Sequence, residues 1–169
     1  CSNLTSITLP AGVTSIGREA FYYCKKMTSI VIPESVTSLG NNAFMGCESL
    51  KSIVLPPNIS YIDTETFFGC ASLATVVLPS NLMSIGYQAF KNCSSLASIT
   101  IPASVQSVDS YAFYDCLSLD SLFMERQTPP VAYDYTFNTF TNTVLTVPVG
   151  AKSAYKSANV WKNFVTILE

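Results

Sequence analysis

Histidine is absent from all 169 residues of this sequence. That removes Ser-His-Asp and Cys-His catalysis, and the common zinc ligand sets, before any motif is sought. Charge is scarce as well: Asp, Glu, Lys and Arg make up only 12% of the chain, about half the usual share. Nine Lys and Arg against eleven Asp and Glu leave a net charge of −2. No basic field is available to hold a nucleic acid or an anionic membrane. Long apolar runs are missing too. Hydrophobic residues reach 49%, yet Ser, Thr, Asn or Pro interrupts them every few positions, far short of the roughly 18 residues a membrane span needs. No signal peptide is visible. The length suits one domain with a substantial core, and a single domain over residues 1–169 is the expectation.

What is present is a beat. The cysteines stand at 1, 24, 47, 70, 93 and 116, every interval 23 residues. Pro10, Pro33, Pro56, Pro79 and Pro102 keep that interval, as do Phe21, Phe44, Phe67, Phe90 and Phe113. Aliphatic columns run through Leu4, Met27, Leu50, Leu73, Leu96 and Leu119, and through Ile7, Ile30, Ile53, Val76, Ile99 and Leu122. Others include Leu9, Ile32, Leu55, Leu78, Ile101 and Met124, with Val13 and Ile16 each heading a further column. A fixed period in this range marks stacked repeats that bury their apolar faces only against one another.

Within a unit, Leu4-x-x-Ile7-x-Leu9-Pro10 alternates toward its end and stops at a residue without an N–H. It reads as a short strand with Ile7 and Leu9 inward and Ser6 and Thr8 outward. Val13 and Ile16 precede a column of Gly17, Gly40, Asp63, Gly86 and Asp109, residue types that tolerate a left-handed corner or cap a helix start. Ala20-Phe21-x-x-Cys24-x-x-Met27 has three- and four-residue spacing and predicts about one helical turn. Each unit is therefore strand, turn, extended segment, corner and short helical turn. The fixed period and right-handed crossover chirality predict one right-handed α/β solenoid with a parallel sheet on one face.

The pattern L-x-x-I-x-[IL]-P-x-x-V-x-x-I-G-x-x-A-F-x-x-C closely resembles the BspA-like, Treponema-type leucine-rich repeat family over about 140 residues. Where common leucine-rich repeats carry asparagine, this chain has Gly12, Ser35, Asn58, Asn81 and Ser104, predicting a partly degraded hydrogen-bonded ladder. The resemblance implies a curved solenoid lined by a parallel sheet. It also implies a surface-attached or secreted protein associated with adhesion to host proteins or other cells, hence an extracellular or cell-surface location.

Residues 1–124 form the regular repeats. Glu125–Pro130 replaces the expected turn, and Phe137 stands one place beyond its column. Leu145, Val147 and Pro148 return to the grid, so residues 125–148 predict a looser last coil with a strand at about 143–147. Residues 149–169 predict a C-terminal cap, of the kind the family carries. In it, a short helix turns Tyr155 and Trp161 toward the array, and Phe164, Val165 and Ile167 close the end. Cys1 lies on the grid, which leads to the expectation that the sequence starts inside a longer array. Its uncapped first coil would then be a surface for self-association.

Chemistry is sparse. Stacked cysteines about 4.8 Å apart approach the separation of a disulfide, but their side chains point the same way. A linear row without histidine does not surround a metal. Six buried thiols are expected, with no metal, cofactor or catalytic residue. Asp63, Glu65, Asp109 and Asp115 do not make a catalytic pair, corner roles sufficing for Asp63 and Asp109. The sequons at Asn3, Asn58 and Asn92 are assigned no role.

Two functions remain: a non-catalytic surface module binding a protein or glycan ligand on a host or neighbouring cell, or a structural spacer in a larger surface protein. The candidate binding face is the outward strand column Thr8, Val31, Val54, Val77, Thr100 and Phe123, with Lys51 and Asp120 just upstream. A contiguous apolar strip there marks an interaction site, although β-branched residues also suit exposed strands. A rival patch, Tyr22, Tyr23, Met45, Phe68 and Tyr114, follows the phenylalanine column on the opposite side.

Overall fold

In a computed structural model describing residues 1–169, the period becomes a solenoid of about seven turns. In chain order the elements are β1 (Ser15–Ile16), β2 (Ser38–Leu39), β3 (Ser52–Val54), β4 (Tyr61–Ile62), β5 (Thr75–Val77), β6 (Ser84–Ile85) and β7 (Ser98–Ile101). They continue with β8 (Ser107–Val108), β9 (Ser121–Met124), β10 (Val131–Ala132), β11 (Val144–Thr146), α1 (Lys152–Ser157), a 3-10 turn (Trp161–Asn163) and β12 (Thr166–Leu168). Helix is confined to the C-terminal segment.

All pairing is parallel, in two ladders on different sides of each coil. The first holds an isolated Thr8–Val31 bridge, the pair β3–β5 and the run β7–β9–β11–β12. The second holds β1–β2 and β4–β6–β8–β10. The Val13–Ile16 segment thus forms a strand of its own rather than merely extended chain. In the first coil, the Ile7–Leu9 strand is reduced to the Thr8 bridge, and Ile7 is exposed.

The expected helical turn is absent. Residues 17–24 and their equivalents form successive tight turns, in which Ala20, Tyr22 and Cys24 N–H donate to Gly17, Glu19 and Phe21 C=O. Glu19, Asn42, Glu65, Gln88 and Tyr111 take positive φ, as do Tyr23, Gly46, Gly69, Asn92 and Asp115. The reversal aims the N–H groups of Glu19, Phe21 and Tyr23 at Asn41, Ala43 and Met45 C=O in the next coil (3.0, 2.8 and 2.7 Å). Three-residue turns place Phe21, Cys24 and Met27 inward just as a helix would, which is why their spacing misleads. The corner column adopts no positive φ. Glycine there answers to space: a Cβ on Gly40 would run into the Arg18 backbone, and one on Gly86 would come within 2.7 Å of Ile62 O.

The core is a stack of identical layers. Phe21, Phe44, Phe67, Phe90, Phe113 and Phe137 lie face over face, with ring centroids 5.2–5.4 Å apart, within the offset-stacking range. Phe137 joins despite its displacement. One residue enters before β10, whose Val131 pairs with Ser107, and one is lost again before β11, whose Val144 pairs with Ser121. The small-polar column is a partial ladder: Ser35 Oγ donates to Ala11 O (2.6 Å), Asn58 Nδ2 to Glu34 O (3.1 Å) and Ser104 Oγ to Leu82 O (2.6 Å).

Four cysteines are buried thiols. Cys47, Cys70, Cys93 and Cys116 each donate to the carbonyl of Phe21, Phe44, Phe67 or Phe90, all at 3.2 Å. The other two correct the expectation: Cys1 and Cys24 form a disulfide, with Cα atoms 4.8 Å apart. Cys1 is exposed, whereas the four free cysteines are buried.

At the C-terminal end Tyr155 and Trp161 are buried, Tyr155 OH donating to Arg126 O (2.9 Å) and Trp161 Nε1 to Pro130 O (2.8 Å). Phe164 and Ile167 are buried beside them. Val165 is not: it is 71% exposed and stands just before β12, outside the strand's alternation, its N–H donating to Phe140 C=O (3.3 Å). No helix is long and apolar enough to cross a membrane.

Candidate functional site

The outward column of the first ladder is solvent-facing along its length. Val31 is 80% exposed, Val54 62%, Val77 48% and Phe123 42%. Thr8 and Thr100 are exposed between and beside them. Register places Thr8 beside Val31, Val54 beside Val77 and Thr100 beside Phe123, and Thr146 continues the row. Alternation produces this: Ile53, Val76, Ile99 and Leu122 point inward and are buried, so their neighbours must point out. Lys51 and Asp120 are exposed at the entry to their strands. Asp120 accepts from Ser121 Oγ (2.9 Å), and Lys51 forms no ion pair.

The row is interrupted by a feature that residue types do not announce. Between the coil of Val31 and that of Val54, neither ladder is paired: β2 does not join β4, and Val31 does not join β3. The turn ladder crosses intact, with Asn42, Phe44 and Gly46 N–H donating to Thr64, Thr66 and Phe68 C=O, and Ser49 and Lys51 N–H donate to Lys25 and Thr28 C=O (both 3.2 Å) before the strands part. The strand side opens there into a cleft of about 600 Å³. Ile30, Val31, Ile32 and Pro33 form one wall and Val54, Leu55, Pro56 and Pro57 the other, with Glu34 as its charge. A second lapse between β5 and β7 opens a smaller cleft of about 300 Å³ beside Val77 and Thr100. The first volume lies in the range of ligand sites.

No group of three or more Cys, Asp or Glu side chains is placed to hold a metal ion. Burial pushes the Cys47 and Cys116 thiols up to about 12, and those of Cys70 and Cys93 well above their ordinary value. They stay protonated at neutral pH and are poor nucleophiles. Burial also raises the Asp63 carboxyl, with no partner acid beside it to share a proton.

The rival side is partly covered. Tyr22 and Tyr23 are exposed and pack edge to face (4.6 Å), while Met45, Phe68 and Tyr114 are half-buried. Tyr111 and Tyr135, which belong to this surface, escape the sequence reading: Tyr111 follows Glu19, Asn42, Glu65 and Gln88 in an otherwise polar column, and Tyr135 stands one residue off the period.

Three comparisons set this geometry among known proteins. The BspA type Leucine rich repeat region matches residues 1–120 and 64–158, in six copies. A leucine-rich repeat protein from Bacteroides ovatus superposes over 87% of this chain with a TM-score of 0.69 and 28% identity. The leucine-rich repeat protein TpLRR of T. pallidum does so over 90%, with a TM-score of 0.69 and 26% identity. One from Eubacterium ventriosum, at 23% identity and a TM-score of 0.70, supports the fold. The chain spans 82% of the T. pallidum protein's length, but only 43% and 37% of the other two. No curated protein matches it significantly. With stacked phenylalanine, thiol and strand columns repeating through the matched residues, the chain belongs to the BspA type leucine-rich repeat family.

Proposed function

We propose that this is a non-catalytic binding module of a surface or secreted protein, taking protein partners on its strand face. The observation that carries the reading is the exposed row of Val31, Val54, Val77 and Phe123, running beside an apolar cleft of about 600 Å³. Scattered exposed aliphatics are ordinary; aliphatics aligned in one column and walling a pocket are not. The walls are mainly aliphatic and proline, with Ser29, Ser52 and Glu34 as their polar groups, which favours an aliphatic or aromatic side chain of a protein over a glycan. A disulfide at Cys1–Cys24 suits an oxidising, extracytoplasmic setting. Adhesion to a host or neighbouring cell is the role that fits such a module in this family.

Panning random linear peptides on the immobilised chain tests this. Peptides with apolar anchors should be enriched, and Val54→Glu should weaken their binding at least about tenfold by placing a charge against the anchor. Stability should move by no more than about 0.5 kcal/mol, because the site is exposed. If no peptide is enriched, or the enriched ones ignore both Val31→Glu and Val54→Glu, the strand face is not the site and the spacer reading replaces it.

A further inference from the structure

The turn ladder carries a second surface of different chemistry. Segments 63–70, 86–93, 109–116 and 133–139 hold five carboxylates (Asp63, Glu65, Asp109, Asp115 and Asp134) against a single cation, Lys91. Lys91 shows what this face does with a positive charge. Its Nζ lies 5.1 Å from the ring centre of Tyr111, 5.5 Å from Tyr114 and 5.8 Å from Phe68. With the Gln88 amide turned to satisfy its neighbours, Gln88 accepts from Lys91 Nζ (3.2 Å) and donates to Glu65 (2.8 Å). An ammonium from one coil is thus held by three aromatic rings, one from the coil before and two from the coil after, at separations where ring quadrupoles attract cations.

The aromatic surface extends beyond that lysine. Tyr135 stacks on Tyr111 with centroids 5.3 Å apart and planes 9° from parallel, and Tyr87 meets Tyr111 edge-on at 5.9 Å. Tyr135 is 62% exposed and Tyr133 48%. Asp134 between them is exposed and makes no side-chain hydrogen bond or ion pair. Here the face offers rings and a carboxylate with no cation of its own.

We propose that the Tyr87–Tyr111–Tyr135 surface binds Lys and Arg side chains of a basic segment in a protein partner. The incoming cation takes, beside Tyr135 and Asp134, the position that Lys91 takes beside Tyr111. Arginine fits best, since its planar head stacks on an exposed ring while its N–H groups reach a carboxylate. Phosphorylated or sulfated ligands are repelled by the same acids. The surface is separate from the strand face, so either can fail without the other.

The test uses a fluorescent hexa-arginine peptide, read by anisotropy on the full chain, with a neutral chitin oligosaccharide as competitor. The peptide should bind at low ionic strength and weaken with salt. Tyr135→Leu, which keeps apolar bulk and removes the ring, and Asp134→Asn should each weaken binding about three- to tenfold. Asp120→Asn and Val54→Glu, on the strand face, should leave it unchanged. Absence of peptide binding overturns the proposal. So does an equal loss with Asp120→Asn, which would mean diffuse attraction to net charge, or displacement by the oligosaccharide, which would mark a glycan surface. Should Tyr135→Leu lower the melting temperature, Asp134→Asn decides alone.

Discussion

Two junctions in the solenoid break regularity in opposite ways. Between the coils of Val31 and Val54 the sequence keeps its period of 23, every column in phase, yet both strand ladders lapse. Around the coil of Phe137 the sequence slips by one residue and slips back, yet β8 pairs with β10 and β9 with β11. Phe137 even stacks on Phe113 within 4° of parallel. Periodicity in the sequence reports the inward columns. Backbone pairing at the rims is a separate variable, and rims are where ligands meet the molecule.

The sharpest way to test the equivalence of the two regions is to remove a ring from each. Phe67 is fully buried between Phe44 and Phe90, and Phe67→Ala should cost on the order of 3–5 kcal/mol because rigid neighbouring coils cannot close the hole. Phe137 is enclosed by Phe113, Phe140, Trp161 and Phe164, so Phe137→Ala should cost a similar amount by urea denaturation. A loss below about 1 kcal/mol at Phe137 alone would show that the slipped coil is loosely packed, however well its rings align.

A second effect belongs to the regular region only. The thiols of Cys47, Cys70, Cys93 and Cys116 have folded pKa values above the ordinary 9.0. Each therefore favours the folded state fully below about pH 9 and ceases to do so as pH climbs toward its raised folded value, about 12 for Cys47 and Cys116, because the unfolded chain releases protons first. Stability measured by denaturant should be flat around neutrality with respect to these groups and fall above pH 9. Cys70→Ala should flatten part of that fall. An unchanged alkaline slope in that variant would mean the thiols are not the groups responsible.

Much of this was legible in the sequence. Phe21 through Phe113, Tyr155, Trp161 and the returning strand near Leu145 all followed from apolar spacing, because burial depends on residue type. The clefts did not follow, since Val31 and Val54 belong to one column and nothing in their identity says whether coils stand near enough to pair. The tight turns were hidden because three-residue spacing serves a helical turn and a chain of β-turns equally. Tyr135 was hidden by the slip. The Cys1–Cys24 disulfide was hidden because Cys1 and Cys24 share the 23-residue column of the four free thiols, and residue type does not distinguish a bonded pair from a stacked one.

Glycine substitutions probe the corner beside the first junction. Gly40→Ala should cost about 1–3 kcal/mol, since its Cβ would press on the Arg18 backbone, which cannot swing away. Gly17→Ala meets nothing within 4 Å and should stay within about 0.5 kcal/mol. Equal thermal shifts in the two variants would deny that adjacent coils are in close contact at this corner.

The smallest expected effect is the most direct measure of the junctions. Gly40, Gly86 and Asp109 N–H donate across to Ile16, Ile62 and Ile85 C=O (2.8, 2.8 and 2.9 Å). Asp63, their equivalent at the open junction, makes no such bond to Leu39. Nor does Ser60 N–H reach Thr37, although Met83 N–H reaches Ser60 C=O at 2.7 Å. Asp109 carries a side chain and still pairs, so the aspartate itself is not what parts the coils at Asp63. Native-state amide exchange should therefore find Asp63 and Ser60 poorly protected, with Met83, Gly86 and Asp109 exchanging more slowly. Phe44 and Gly46, whose bonds to Thr66 and Phe68 C=O cross the same junction at 2.9 and 2.8 Å, should remain protected. Protection of Asp63 equal to that of Asp109 would mean that the coils close in solution and the cleft closes with them, removing the pocket on which strand-face binding rests. Slow exchange at Phe44 beside fast exchange at Asp63 would instead show a junction hinged on its turn side and open where the valines stand.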